Sequence, residues 1–315
     1  MLKLDRLKLV TSAKFITNLN QSFIEIHTHK GEYYYKYHQD VPFALTIIVF
    51  PIKNELTIEF TGKILGDNYH LLISKQTIKQ CFSKICTDNI CTLNIEEIIR
   101  NSKVCLCDVT KDITCPYPMS EIKTHIKASI KNYDKWLVRK CQNNGLEIYN
   151  SVTTKRRFKR IIIYDKYKEL HRAENKIFLA GCENSDKMIE KFFSKIRIEF
   201  NLRSMEQIRK YLHVKDTSLE SVLCSEAEPI LEIWDEVIEE NLSSVATSNP
   251  QVYNSLEKLS ILKECNYDLQ AVEMRLRAST RKNTSIRRKM ESYKKLLQSI
   301  QSDEVRLMNI RNLIK

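Results

Sequence analysis

The most constraining stretch of this sequence is KIRIEFNLR at residues 195–203. Ile196, Ile198, Phe200 and Leu202 alternate with Arg197, Glu199, Asn201 and Arg203, so an extended chain sends four apolar side chains one way and four polar ones the other. Such a strand needs a core under one face and water, ions or ion-pair partners over the other. Other segments share this β character. Residues 32–37 (EYYYKY) and 43–50 (FALTIIVF) are rich in aromatic and β-branched side chains, and 55–61 (ELTIEFT) alternates after a break at Pro51 to Asn54. Together these predict a meander or hairpin. Residues 103–113 (KVCLCDVTKDI), 146–153 and 160–166 (RIIIYDK) are extended in character as well.

Helical periodicity separates the strands. Ser74 can cap a helix over 74–86 with Ile78, Cys81, Phe82 and Ile85 on one face, and a further helix is expected from Ser204 to Leu212. A long amphipathic helix is expected over 120–142, capped by Ser120 and striped by Ile122, Ile126, Ile130, Tyr133 and Leu137. The order of elements predicts an α+β fold: two mixed α/β halves with antiparallel sheets, residues 1–118 and 119–216, within one region 1–216. From about residue 217 strand signals fade. Segments 218–242 and 251–315 read as helices broken at Asn249-Pro250, so 217–315 is expected to be a helical, basic C-terminal region. Within it, 254–277 fits either a helix-turn-helix-like pair or a plain bundle with a solvated basic face.

Composition narrows the class. With 315 residues, 43% hydrophobic and 29% charged, the chain is globular in character and too apolar for disorder. Its formal net charge of +12 suggests a polyanionic partner, nucleic acid ahead of an anionic membrane surface. The longest apolar stretch, Val41 to Ile52, is interrupted by Pro51 and is too short to span a bilayer; MLKLDRLKLV lacks the unbroken apolar core of a signal peptide. The expectation is a cytoplasmic protein with no membrane partner. Ten cysteines include no C-x-x-C pair, and Cys105 and Cys107 on a strand share one face, which suits packing better than zinc. There are only five glycines and no G-x-x-x-x-G-K phosphate loop.

Three polar clusters could carry chemistry. Asp108 and Asp112 lie four residues apart, so on a strand both carboxylates share a face; hard oxygens of this kind suit Mg²⁺ or Mn²⁺, or simply end a surface strand in solvated acids. Glu199, between Arg197 and Arg203, fits a metal ligand beside phosphate-binding cations or a surface ion-pair ladder. Tyr164, Asp165 and Lys166 are followed by Glu169. A phenol has a pKa near 10 and needs a cation or metal nearby to act as a nucleophile; Lys166 and the basic turn of Lys155, Arg156, Arg157, Lys159 and Arg160 could supply it. Alone, a tyrosine at a strand end usually packs, and this chain has fourteen tyrosines.

Taken in order, CDVTKD at 107–112, NSVTTKRRFKRIIIYDKYKEL at 150–170 and IRIEFNLRSMEQIRKYL at 196–212 resemble the replication proteins of the phage and plasmid gene II/X family. The resemblance covers roughly residues 30–240. Its strongest part pairs a YDK-x-x-E segment with a downstream R-x-E-x-x-L-x-x-x-x-x-I-R segment, an arrangement similar to that of trans-acting rolling-circle initiators. It implies a nickase-ligase that cuts one origin strand, holds it through a covalent 5′-phosphotyrosine and rejoins it. Tyr164 is then the leading nucleophile, with Tyr149, just before the NSVTTK turn, its rival. Asp108 and Glu199 would hold Mg²⁺ or Mn²⁺, with Asp112 a second-tier ligand, while Arg197 and Lys166 would contact phosphate. DNA contacts fall to the 155–160 turn, Arg203, Arg281, Lys282, Arg287, Arg288 and Lys289. The implied partners are double- and single-stranded origin DNA, a host helicase and polymerase in a bacterial cytoplasm, and a second copy in a homodimer.

His27-Thr28-His29 resembles the His-hydrophobic-His pair of another nickase class, but Thr28 is not apolar; exposed histidines near the turn at Gly31 are the plainer reading. Two other functions fit the same charge. One is a non-catalytic origin binder or copy-number regulator; the other is an RNA-binding protein using the tyrosines of 32–37 as a stacking face.

Overall fold

The structure is a computed structural model that describes residues 2–28, 31–132, 135–141, 145–150, 152, 158–239, 258, 260–262, 264–265, 269–279, 283–302 and 310–315. The fold is α+β. In chain order the strands are β1 (Leu4–Thr11), β2 (Ile16–Thr17), β3 (Ile24–His27), β4 (Tyr33–Gln39), β5 (Leu45–Phe50), β6 (Glu55–Thr61), β7 (Thr92–Leu93), β8 (Lys103–Thr114), β9 (Trp136–Cys141), β10 (Gly145–Asn150), β11 (Arg160–Asp165) and β12 (Lys195–Leu202). Ten of them form one antiparallel sheet in the order β3-β4-β5-β6-β1-β8-β12-β11-β10-β9, while β2 and β7 pair in a small ladder.

The two expected sheets are therefore one. β8 pairs with β1 on one side and with β12 on the other, so the seam between the halves lies at the centre of a continuous sheet. β1 comes from the N-terminal LDRLKLVT segment, to which sequence reading assigned no element. The core face follows the alternation: Leu7, Leu9, Ile58, Ile198, Phe200 and Ile148 are all buried. Ser204 caps the helix Met205–Leu212 by accepting from the Gln207 amide, as its position before the apolar stripe requires.

Two helix expectations change. The helix expected from Ser74 begins at Ile78, because Ser74 and Thr77 spend their hydroxyls and amides on a tight turn. The helix expected over 120–142 stops at Ala128, and Trp136–Cys141 instead pairs with Gly145–Asn150. Trp136, buried at 1%, anchors that strand where a helix would have placed Leu137, which is 41% exposed. Tyr133 lies outside the described residues.

The chain divides into two compact units, neither matching a boundary at 216. The first comprises Met1–Met119, Asn132–Val237 and Arg311–Lys315 and holds the sheet. The second comprises Ser120–Lys131 and Ile238–Ile310. Its helices Leu269–Ser279 and Asn283–Ser302 pack Leu262, Val272, Leu276, Ile286, Met290 and Tyr293 against one another and leave Arg287, Arg288 and Lys289 exposed. For the helix-turn-helix reading of 254–277, the turn near Asn266 lies outside the described residues. Among the described residues no helix is long and apolar enough to cross a membrane.

Candidate functional site

The polar face of the sheet is organised by register into transverse rows. The inner row is Asp112 on β8, Arg197 on β12 and Tyr164 on β11. The middle row is Thr110, Glu199, Ile162, Glu147 and Arg139 on β8 to β9. The outer row runs from Arg6 on β1 through Asp108 and Asn201 to Arg160, which opposes Tyr149 on β10; Arg160 meets Asn201 by continuing the register in which Ile161 opposes Phe200. Alternation with a period of two puts every one of these side chains on the same side.

The inner row is sealed. Tyr69, Leu72, Leu170, Phe178, Met188, Ile189 and Phe192 form a cluster against it, with the Arg197 guanidinium 5.1 Å from the Tyr69 ring and 5.3 Å from that of Phe192. Arg197 is 0% exposed. It donates to both Asp112 carboxylate oxygens at 2.7 and 2.8 Å, to Asp5 at 3.1 Å and to the Tyr69 hydroxyl at 2.7 Å. This is the planar fork of arginine satisfied on all sides. Burial alone would raise the Asp112 carboxyl, but Arg197 more than offsets it and holds the group below the usual range. Lys166 is likewise buried and ion-paired with Glu169 at 2.5 Å. Arg197 and Lys166, expected to contact phosphate, thus do neither in this arrangement, and Asp112 is committed to Arg197 rather than to a metal.

Tyr164 belongs to the same sealed layer. It is 3% exposed and its hydroxyl donates to Glu199 Oε1 at 2.5 Å. Burial, then the Glu199 charge, pushes its phenol well above its ordinary pKa, the reverse of what a nucleophile needs. Beside it Gly145 explains itself: a Cβ there would stand 2.7 Å from the Ile163 carbonyl oxygen and 2.9 Å from Tyr164 Cβ.

Glu199 and Asp108 are diagonal neighbours on adjacent strands, and each is strained electrostatically. Burial, followed by the nearby Asp5 charge, pushes the Glu199 carboxyl up to about 8. Desolvation pushes Asp108 up to about 6 against the pull of Arg6, Asn201 and Arg203. Asn201, 3% exposed, leaves its Oδ1 buried with no hydrogen-bond partner. A carboxylate pair and an orphaned amide oxygen are hard donors of the kind Mg²⁺ or Mn²⁺ takes. Among the described residues, however, no three His, Cys, Asp or Glu side chains converge as a ready metal cage.

The outer row is open. Arg203 is exposed, with its guanidinium 5.1 Å from the Phe158 ring, and burial together with the charges of Arg160 and Arg6 lowers its pKa. Arg6 and Arg160, paired with Glu59 and Glu147, thus stand near Arg203 beside Asp108, and Arg203 alone of the three has no ion-pair partner among the described residues. Tyr149 is half-buried, 6.1 Å from Phe158 between ring centroids, with the Arg139 guanidinium 5.1 Å from its ring. Glu147, 2% exposed, accepts from Arg139 at 2.8 and 3.0 Å and from Arg160 at 2.6 Å, which fixes both cations beside the phenol.

The remaining expected contacts divide. Lys159 is taken by Glu236 at 2.6 Å and packs near Trp136 and Tyr211 on the core side. Lys155, Arg156, Arg157, Arg281 and Lys282 lie outside the described residues. His27 is 70% exposed and pairs with Glu25, and His29 is outside the described residues. The tyrosines of β4 are half-buried. Sequence reasoning missed Asp5, Arg6, Tyr69, Arg139 and Glu147. Its one available signal was the LDRLKL alternation; a bulge between Leu4 and Arg6 then lets the adjacent Asp5 and Arg6 both serve the polar face.

Comparison with protein-family models, curated proteins and solved structures finds no match to this chain.

Proposed function

We propose that this chain is a replication initiator that nicks one strand of origin DNA, with Tyr149 as nucleophile and Tyr164 as a buried scaffold. The observation that carries this reading is the outer row, which sets a reachable phenol, a carboxylate and the arginines Arg6, Arg160 and Arg203 on one open sheet face. Tyr149 and Asp108 stand three strands apart, about 14 Å at the backbone, and a phosphodiester fits between their side chains. Arg160 and Arg203 grip the phosphate oxygens, and Arg139 holds the phenol ring. The Tyr149 phenol gives up its proton to water as its oxygen bonds to phosphorus, the bond to the 3′-oxygen breaks, and that oxygen takes a proton back from water to leave as a 3′-hydroxyl. A Mg²⁺ or Mn²⁺ ion held by Asp108, Glu199 and Asn201 Oδ1 would neutralise charge on the phosphate.

The test uses supercoiled origin DNA with Mn²⁺ and detection of a protein–DNA adduct. Tyr149→Phe is expected to bind DNA and form no adduct, whereas Tyr164→Phe still forms it. If Tyr164→Phe loses the adduct and Tyr149→Phe keeps it, the assignment falls. One other reading fits the same face, a non-catalytic origin binder, because exposed Arg203 can hold a phosphate backbone without any chemistry. That reading gains if wild-type protein shifts origin DNA but never relaxes it.

A further inference from the structure

At the β8 end of the polar rows, beside Asp112 and Thr110, a cavity of about 300 Å³ opens where the start of β1, the end of β8 and the start of β12 meet the helix Pro229–Val237. Lys3, Lys111, Lys195 and His70 line it, together with Ala227 to Ile230, where the chain enters that helix. The balance of charge inside is positive. Asp112 is bound by Arg197, and Glu228 pairs with Lys111 at 3.1 Å, while Lys3 and Lys195 have no ion-pair partner among the described residues. The positive end of a helix dipole adds to them. His70 Nδ1 is buried there without a hydrogen-bond partner.

We propose that this cavity is a phosphate pocket, taking a terminal phosphate group through Lys3, Lys195 and His70 beside the N-terminal end of the helix. Its volume sits at the small end of ligand sites, which suits orthophosphate, a nucleoside monophosphate or the 5′-phosphorylated end of a strand and excludes an internal duplex segment. Two free ammonium groups match the charge of a phosphomonoester dianion. The proposal needs no tyrosine and stands apart from nicking.

The experiment measures binding by the full chain of orthophosphate, of adenosine 5′-monophosphate, and of one oligothymidine with either a 5′-phosphate or a 5′-hydroxyl, all at matched ionic strength. Wild-type protein is expected to prefer at least one phosphate-bearing probe over its phosphate-free counterpart by about tenfold. Lys3→Ala/Lys195→Ala is expected to lose that preference. Lys79→Ala/Lys84→Ala, which removes the same charge from a distant surface, and Tyr149→Phe are expected to keep it. Binding of the small probes assigns the pocket to free phosphates; binding of the phosphorylated oligothymidine alone assigns it to strand ends, and either supports the proposal. No preference in the wild type, or equal loss in the Lys79/Lys84 variant, overturns it.

Discussion

Replacing Glu199 by glutamine tests the electrostatics of the polar face directly. The carboxyl is buried, 8% exposed, and burial and Asp5 raise it to about 8, against an ordinary value of 4.5. Between those values the folded protein holds a proton that the unfolded chain has released. Stability contributed by this site therefore declines as pH climbs from about 4.5, and the full cost is present above about 8. The gap of roughly 3.5 units corresponds to at most about 5 kcal/mol, and relaxation around the charge reduces that to about 1–3 kcal/mol. Glutamine keeps the shape and an acceptor for the Tyr164 hydroxyl without ionising. In chelator, urea unfolding of Glu199→Gln should match wild type near pH 5 and exceed it by that margin near pH 9. Mn²⁺ should stabilise wild type at pH 9 and leave the variant unmoved. A stability difference that is the same at both pH values would refute the reasoning, because a structural defect has no reason to titrate.

Arg197→Met should destabilise by about 3–5 kcal/mol in urea, since it strands Asp112 and Asp5 without their cation, and Arg197→Lys should recover only part of that. Arg160→Ala/Arg203→Ala should weaken DNA binding across all sequences and reduce the slope of log affinity against log salt by about 2, and should also lower the unfolding midpoint because Glu147 loses one of its two cations. Against the desolvation that would raise it, hydrogen bonds from Lys159 and Lys135 hold Glu236 down to about 2, so its contribution is present above pH 4.5 and is lost as pH falls through 2. Discounted for partial exposure, Glu236→Gln should cost about 1–2 kcal/mol at pH 7 and nothing near pH 2. Gly145→Ala should push Tyr164 away from Glu199 and cost about 1–3 kcal/mol, read by thermal unfolding.

Much of the fold was legible where periodicity was strict. The extents of β12, β8, β11 and β6 match the extended segments of the sequence nearly to the residue, although β12 and β11 are buried on both faces. The failures have a common cause. Residues 120–142 carry apolar side chains at helical spacing, but Trp136 to Cys141 gain more from pairing with β10 than from continuing a helix, a tertiary decision invisible to local pattern. The site was legible in composition and not in depth. Sequence placed Arg197, Glu199, Asn201 and Arg203 on one face of β12, yet could not show that a roof from distant segments closes over Arg197 and leaves Arg203 exposed. Tyr164 and Tyr149 looked alike as tyrosines near strand ends. Which one meets solvent depends on that roof.

The gradient along β12 is the feature that any account of function has to explain. Over seven residues the polar side chains pass from an ion network at Arg197, through a carboxyl that resists ionising at Glu199 and an orphaned amide oxygen at Asn201, to an exposed cation at Arg203. A sheet selected for stability alone would fill the inner positions with apolar side chains, since buried ion networks gain little over well-packed hydrocarbon. It would also separate Arg6, Arg160 and Arg203, which stay close enough to lower the Arg203 pKa although Glu59 pairs with Arg6 and Glu147 with Arg160. The inner network fixes the geometry of its strands, and the outer residues keep a desolvated carboxyl at Asp108 and an exposed cation at Arg203, which under the proposed function would meet a divalent ion and a polyanion. A phosphodiester backbone accompanied by a divalent ion supplies both at once, and Tyr149 lies along the path it would take.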